Sequence, residues 1–247
     1  MKREAAQIPR IGPAVLFGNA VDIVVVDTGL GNLRSVERAL IAAARDIGRA
    51  SRVSHVSVEI TRDPERIRRA DKVVVPGQGG FADCARALDG GLGEVIRESI
   101  ARGAPYLGIC LGLQVLFERS EEAPGAAGLG IFPGEVVRLL GGMDAVSGGA
   151  LKIPHTGWNT ASPEPAGAKA GLSRSLVPSL LPSAPTFFYF VHSYVVAPKD
   201  ARIVAATTEY GERFVSAIAS DNVFACQFHP EKSQRAGLAL LTRFLAS

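Results

Sequence analysis

The sequence predicts an α/β protein in which a mostly parallel β-sheet carries helices on both faces and is followed by a β-rich, largely antiparallel part. Up to about residue 118, short runs of Val and Ile alternate with helical patterns, which is the order expected of a parallel sheet. The runs are apolar at nearly every position, as strands covered on both faces must be. Beyond residue 118, short β-rich runs are separated by turn residues, which is typical of antiparallel pairing.

The first half divides into alternating strands and helices. The strand at 21–26 ends in a Gly-bearing turn, and the helix after it places Leu33, Val36 and Leu40 on one face. Asp63 and Pro64 have the residue types of an N-cap and a first helical position. The remaining predicted elements are strands at 53–58, 72–75 and 104–110, and helices around 81–88 and 93–101.

The second half is predicted to contain short strands, two loops and a closing helix. The strands are expected at 136–140, 151–154, 186–196, 203–208, 214–219 and 223–228. Segments rich in Gly, Ser and Pro predict loops at 140–150 and 161–185, and an amphipathic pattern predicts a helix at 233–245. We expect residues 1–20 to form a loosely ordered N-terminal extension and residues 21–247 to form a single domain.

Composition excludes several classes of function. The chain has 247 residues, of which 47% are hydrophobic and 21% charged, and its net charge is +3. No dense Lys/Arg block indicates a nucleic-acid partner, and no apolar run reaches the ~20 residues that a membrane span needs. The three cysteines are widely spaced, which predicts neither a disulfide framework nor a metal site, and which favours a reducing cytoplasm.

Cys110 occupies the most informative position of the chain. It lies between a buried strand and a helical pattern that begins with Leu111, and Gly108 and Gly112 flank it at a distance of two residues. Small residues at these positions permit a sharp strand-to-helix turn that exposes a nucleophile. Backbone N–H groups and a nearby imidazole would favour the thiolate. The alternative is a buried cysteine that packs as a small hydrophobic residue.

A nucleophilic cysteine needs a base, and His229 is the best placed of the four histidines. It follows the last predicted strand, and Pro230 restricts it to an extended conformation. Glu231 would then lie on the same side and orient the imidazole, which completes a triad of Cys110, His229 and Glu231. Taken alone, the same tripeptide is more typical of a surface turn.

Acyl transfer also requires donors for the oxyanion. The backbone N–H of Leu111 is one candidate. The loop that contains Gln78 and Gly79 is the other, because its glycines permit a close approach of the backbone. An ordinary tight turn would have the same residues, and the sequence does not separate the two.

Several motifs now combine into a resemblance. The segments 108–114 (GICLGLQ) and 227–233 (QFHPEKS) resemble those of class I (triad-type) glutamine amidotransferases. Within that family, the segments 31–36 (GNLRSV), 153–159 (IPHTGWN) and 189–194 (YFVHSY) are similar to the glutaminase subunits of imidazole glycerol phosphate synthases. The resemblance extends from about residue 21 to the C-terminus.

The resemblance implies a flavodoxin-like three-layer fold and a reaction. Cys110 would attack the side-chain amide of L-glutamine, His229 would protonate the departing ammonia, and water would release glutamate. Ammonia would then pass to a (β/α)8-barrel cyclase subunit in a step of histidine biosynthesis, without a cofactor or metal. The implied glutamine-binding residues are Gly79, Gln114, His192, Ser193 and Tyr194. The implied residues of the partner interface are Asn32, His155, Trp158 and Lys232.

The chain departs from the usual pattern of the family at Thr28, Gln78 and Thr156, none of which belongs to the triad. Two other interpretations remain at this point. The chain could be a glutaminase that serves another acceptor, such as pyridoxal phosphate synthase, although the segments 153–159 and 189–194 argue against it. It could also be a non-catalytic regulatory module, although such modules usually lack the Cys or the His.

Overall fold

The computed structural model describes residues 19–47, 53–143, 148–164 and 180–247. Its first half alternates strands and helices as the sequence predicts. The elements are β1 (Asn19–Val26), α1 (Leu33–Ile47), β2 (Val53–Thr61), α2 (Pro64–Arg69), β3 (Lys72–Gly77), α3 (Phe81–Leu88), α4 (Leu92–Ala101), β4 (Tyr106–Cys110) and α5 (Leu111–Gln114). Asp63 caps α2, because its carboxylate accepts a hydrogen bond from the backbone N–H of Glu65 at 2.9 Å.

The second half is mostly strands. They are β5 (Arg119–Ser120), β6 (Gly134–Arg138), β7 (His155–Pro163), β8 (Thr186–His192), β9 (Tyr194–Pro198), β10 (Val204–Tyr210), β11 (Glu212–Ser220) and β12 (Val223–Cys226), and helix α6 (Gln234–Ala246) follows. Among these strands, β6–β9, β7–β8, β7–β10, β10–β11 and β11–β12 pair antiparallel, as predicted.

One continuous sheet joins the two halves. Its first five strands run parallel in the order β2-β1-β3-β4-β12, which is the doubly wound order of a flavodoxin-like fold. In such sheets the functional site lies beyond the carboxyl ends of the strands. Because β12 comes from the C-terminal part and pairs with β4, the fold brings the segment after β12 next to Cys110.

Both faces of the parallel sheet are buried, and β1 shows why its sequence is continuously apolar. Ile23 and Val25 contact the core that contains residues of α1 and α6, whereas Val24 and Val26 contact the core that contains residues of α2, α3 and α4. All four side chains are fully buried. The prediction of an α/β fold with helices on both faces is therefore confirmed.

Three predictions of local structure are wrong. The run at 151–154 is not a strand, because Pro154 has no N–H to donate, and the strand begins at His155 instead. The run at 186–196 is two strands, since β8 pairs with β7 whereas β9 pairs with β6 and β11, and the chain changes partners at Ser193. The loop expected from Ala161 begins later, because β7 continues to Pro163.

Some of the predictions concern residues outside the described ranges. These are the extension at 1–20, apart from residues 19 and 20, which open β1, and large parts of the loops at 140–150 and 161–185. In the described part of the chain, no helix is both long and apolar enough to span a membrane.

Candidate active site

Cys110 lies at a strained turn between β4 and α5. Its backbone has φ 56° and ψ −104°, a conformation that residues other than glycine rarely adopt. The flanking glycines are required by close packing, since a Cβ at Gly108 would lie 2.4 Å from the carbonyl oxygen of Gly112. A Cβ at Gly112 would lie 1.8 Å from the carbonyl oxygen of Val75. The sequence argument for a nucleophile turn therefore has a direct structural basis.

The helix after Cys110 is shorter than its pattern suggested. It comprises the four residues Leu111–Gln114 and continues as a turn through Phe117. An element of one turn carries little of a helix macrodipole. Stabilisation of a thiolate therefore depends mainly on side chains.

His229 and Glu231 form a buried pair beside the cysteine. His229 Nδ1 lies 2.8 Å from Glu231 Oε1, and the two side chains are 1% and 3% exposed. His229 is extended, as expected, but Glu231 lies in a 3-10 turn, Pro230–Lys232. The turn, rather than the predicted extended alternation, brings the carboxylate to the imidazole.

The environment of His229 favours its protonated form. Burial lowers the pKa of the imidazole, but its interactions with Cys110 and Glu231 outweigh burial and raise the pKa to about 9. Nε2 is buried and makes no hydrogen bond of standard geometry within the described residues. The thiol and the imidazole are thus in electrostatic contact, with Nε2 uncommitted, as a proton donor to a leaving group requires.

A cleft of about 420 Å³ opens at Cys110. The predicted glutamine-binding residues, Gly79, Gln114, His192, Ser193 and Tyr194, all line it. The three predicted oxyanion residues, Gln78, Gly79 and Leu111, line it as well. Pairing of β3 with β4 places Gly77 opposite Cys110, and this is why the loop after β3 reaches the thiol.

The end of β3 and the loop after it lie close to the strand-to-helix turn at residues 108–112, which we call the elbow. A Cβ at Gly77 would lie 2.6 Å from Cβ of Leu111, so the approach requires glycine there. Gly79 has φ +110°, but a Cβ on it would meet nothing closer than 3.9 Å. Its requirement for glycine is therefore conformational and not steric.

His192 and His155 form a buried neutral pair. His155 Nδ1 lies 3.0 Å from His192 Nε2, and the His155 ring stacks on the rings of Tyr210 and Phe190. Burial lowers the pKa of His155 to about 4. Burial, together with the neighbouring His155, lowers the pKa of His192 to about 3. Both imidazoles are neutral at pH 7.

The four residues predicted at a partner interface differ in their exposure. Trp158 is 47% exposed and contacts Tyr189 edge-on at 6.2 Å between ring centroids. Lys232 Nζ lies 5.8 Å from the centroid of the Tyr189 ring and borders the cleft. Asn32 is exposed and caps α1. His155, in contrast, is 2% exposed because it packs inside the aromatic cluster, so its side chain is not available to a partner in this structure.

Sequence reasoning missed Glu122. Its carboxylate lines the cleft and accepts a hydrogen bond from the backbone N–H of Phe81 at 2.9 Å. It lies in a turn after β5, and nothing in the local sequence distinguishes it from its neighbour Glu121. The described residues contain no cluster of three or more side chains that could hold a metal ion.

The departures from the family pattern lie around the site. Thr28 is 3% exposed, and its Oγ1 is buried with no hydrogen-bond partner among the described residues. Gln78 borders the cleft, and Thr156 is exposed on β7. None of these three residues belongs to the predicted triad.

Comparison with known proteins agrees with this geometry. The family model for class-I glutamine amidotransferases matches residues 24–247. Two solved structures share the fold: the crystal structure of a glutamine amidotransferase (TM-score 0.61, 18% identity, 90% of this chain and 97% of that one) and PurLQS from Thermotoga maritima (TM-score 0.59, 17% identity, 92% and 98%). The chain belongs to the class-I glutamine amidotransferases.

Curated relatives narrow this assignment. The imidazole glycerol phosphate synthase subunit HisH of Aromatoleum aromaticum is 45% identical over 91% of this chain and 98% of its own length. The HisH subunits of Syntrophotalea carbinolica (46%, 90% and 98%) and Nitrosomonas europaea (49%, 90% and 97%) are similarly close. Within its class, the chain is a member of this HisH subunit family.

Proposed function

We propose that this chain is the glutaminase subunit of an imidazole glycerol phosphate synthase, with Cys110 as nucleophile and His229 and Glu231 as its acid–base pair. The observation that carries the proposal is the buried His229–Glu231 contact of 2.8 Å beside a strained cysteine at the end of a cleft. The membership in the HisH family supports the choice of synthase.

The reaction follows from the positions of these groups. The thiolate of Cys110 attacks the side-chain carbonyl carbon of glutamine, and the carbonyl oxygen becomes an oxyanion. His229 gives its Nε2 proton to the departing nitrogen, which leaves as ammonia, and a thioester remains. Water then attacks the thioester with His229 as base, so that glutamate is released and the thiol is restored. Glu231 keeps the imidazole oriented throughout.

The cleft offers charges that match a free amino acid. The carboxylate of Glu122 and the ammonium group of Lys232 both border it, opposite in charge to the α-ammonium and α-carboxylate groups of glutamine. Both N–H groups of the Gln114 amide are used within the protein, so that Gln114 can contact substrate only as an acceptor, through Oε1. These features support L-glutamine as the substrate.

A (β/α)8-barrel cyclase is the proposed partner and the acceptor of ammonia. The exposed Trp158 contacts Tyr189, Tyr189 lies beneath Lys232, and Lys232 borders the cleft. A partner seated on Trp158 would therefore cover the surface next to the site of ammonia release. Cys84, Cys110 and Cys226 are free thiols, and this supports a reducing compartment such as the cytoplasm.

Glutamate release by the chain, alone and with a barrel cyclase and its ribonucleotide ligand, tests the proposal. We expect release to be strongly stimulated by the cyclase and to be abolished by Cys110→Ala, whereas Cys84→Ala, in a buried thiol whose pKa burial raises to about 12, serves as the matched control. A glutamine-analogue electrophile should label Cys110. Labelling of Cys84 or Cys226 in its place, or stimulation by a pyridoxal phosphate synthase subunit and not by the cyclase, would contradict the proposal.

A further inference from the structure

A continuous series of hydrogen bonds connects the histidine pair to the nucleophile. The backbone carbonyl oxygen of Tyr194 accepts from His192 Nδ1 at 3.1 Å and from Gln114 Nε2 at 3.1 Å. Gln114 Nε2 also donates to Gln227 Oε1 at 3.0 Å. Gln227 Nε2 in turn donates to Cys110 Sγ at 3.5 Å. Gln227 is fully buried and Gln114 is 3% exposed, so water does not compete for these groups.

The direction of this series is fixed by the carbonyl of Tyr194, which can only accept. The nitrogen of Gln114 must therefore face it, and the same nitrogen then requires the oxygen of Gln227. With its oxygen committed, Gln227 is left with its amide nitrogen toward Cys110. An inverted Gln227 amide would place two nitrogens against each other.

The histidine side of the series obeys the same constraint. His192 Nδ1 must carry a proton for Tyr194, and because burial keeps this imidazole neutral, its Nε2 accepts from His155 Nδ1. Asn159 donates to His155 Nε2 at 3.2 Å and to the carbonyl oxygen of Glu209 at 3.0 Å. The Tyr194 carbonyl is thus held by two donors whose own orientations are determined.

We propose that Gln227 is a further functional residue of the thiol site, whose amide N–H stabilises and aims the Cys110 thiolate, and that Gln114 orients Gln227. This role rests on the proposed glutaminase function and adds an amide donor to the electrostatic interaction of His229 with the thiol. A hydrogen bond to an anion is about twice as strong as one between neutral groups, so the contact strengthens when the thiol ionises. Gln114 would act by positioning Gln227, in addition to any contact with substrate.

The amide donor of Gln227 matters because α5 is too short to supply much of a dipole. The ionisable groups around Cys110 are His229 with its partner Glu231, Cys226 on β12 and Cys84 on α3. The cleft at Cys110 is also lined by Glu122, Tyr189, His192, Tyr194 and Lys232. Burial raises the pKa of both other thiols, so neither contributes a charge near neutral pH. His229, through its charge, and Gln227, through its hydrogen bond, are the side chains that act on the thiol directly.

Alkylation of the full chain by iodoacetamide tests the proposal without glutamine, so that its outcome is independent of the glutaminase assignment. The rate at Cys110 is measured against pH by peptide mass spectrometry in the wild type and in Gln227→Leu. We expect the midpoint of the profile to rise by about one to two pH units, the shift that corresponds to the loss of one hydrogen bond to a charged group. The alkylation rate at pH 7 should fall by less than the shift of the midpoint alone would imply, because a less stabilised thiolate is more nucleophilic.

Asn222→Leu is the matched control, since Asn222 lies at the opposite end of β12 and its amide donates to the carbonyl oxygens of Ile100 and Ala104. It should lower the unfolding temperature and leave the Cys110 profile unchanged. An unshifted profile in Gln227→Leu, or an equal shift in Asn222→Leu, would overturn the proposal.

Gln114→Met provides a second measurement should Gln227→Leu fold poorly. It removes the donors that orient Gln227 and keeps Gln227 itself. A positioning role predicts a smaller upward shift of the same midpoint. A residue that served substrate binding alone would leave alkylation by iodoacetamide unchanged, and this result would remove Gln114 from the proposal.

Discussion

Gly112→Ala tests whether the packing of the elbow sets the position of the nucleophile. A Cβ at this residue would lie 1.8 Å from the carbonyl oxygen of Val75, whereas ordinary contact begins near 3.4 Å. Neither the added Cβ nor the backbone carbonyl oxygen moves when a side chain changes its rotamer, so no rotamer change relieves the clash. The elbow and β3 must separate by about 1.6 Å, the difference between those two distances.

A displacement of this size is large on the scale of catalysis. Misplacement of a reacting group by about 1 Å can cost on the order of 10²-fold in rate, and overpacking costs typically ~1–3 kcal/mol of stability. We therefore expect kcat for glutamine hydrolysis to fall by about 100-fold or more. The loss of stability should be modest if the elbow can move away from β3, and larger if packing in the sheet prevents this movement.

Glutamate release in the presence of the cyclase gives kcat and KM, and thermal unfolding gives the stability. Gly125→Ala is the matched control, because a Cβ there meets nothing within 4 Å and its φ lies outside the left-handed region. This control should behave as the wild type. Wild-type kcat in a folded Gly112→Ala variant would show that the close approach to β3 does not position Cys110, and the reasoning would fail.

Three further predictions concern the base, the oxyanion loop and the histidine pair. His229→Ala should lower kcat by on the order of 10²- to 10⁴-fold and Glu231→Gln by less, because an orienting group contributes less than the base it orients; equal small losses would exclude the triad. Gly79→Val should lower the cyclase-stimulated glutaminase rate far more than the basal rate, since φ +110° disfavours a β-branched residue while the space is open; equal losses of both rates would exclude a gating role. Because burial lowers the pKa of His155 from 6.5 to about 4, its contribution to stability is present above pH 6.5 and is lost as the pH falls toward 4, by on the order of 3 kcal/mol. His155→Gln should therefore flatten the dependence of the unfolding free energy on pH between these values. An unchanged slope would contradict burial as the cause.

Much of the parallel half could be predicted because its signals are local. Continuous apolar runs such as that of β1 can be satisfied only by a strand buried on both faces, and the spacing of Gly108 and Gly112 around Cys110 leaves few alternatives to a tight turn. The pairing of a His with a carboxylate two residues away is also local, although a 3-10 turn makes it and not the predicted extended segment. For these features, short-range sterics and hydrophobicity already determine the structure.

The rest depends on contacts between distant segments, and only the tertiary structure decided it. Whether the run at 186–196 is one strand or two depends on which strands lie beside it, and its own sequence does not contain that information. Glu122 belongs to the cleft because a turn after β5 packs against the start of α3. Gln227 is paired with Cys110, 117 residues earlier in the chain, because β12 pairs with β4. Sequence alone predicted the nucleophile and its base, whereas the orientation of the amides and imidazoles around them follows from backbone carbonyls that folding brings within hydrogen-bonding distance.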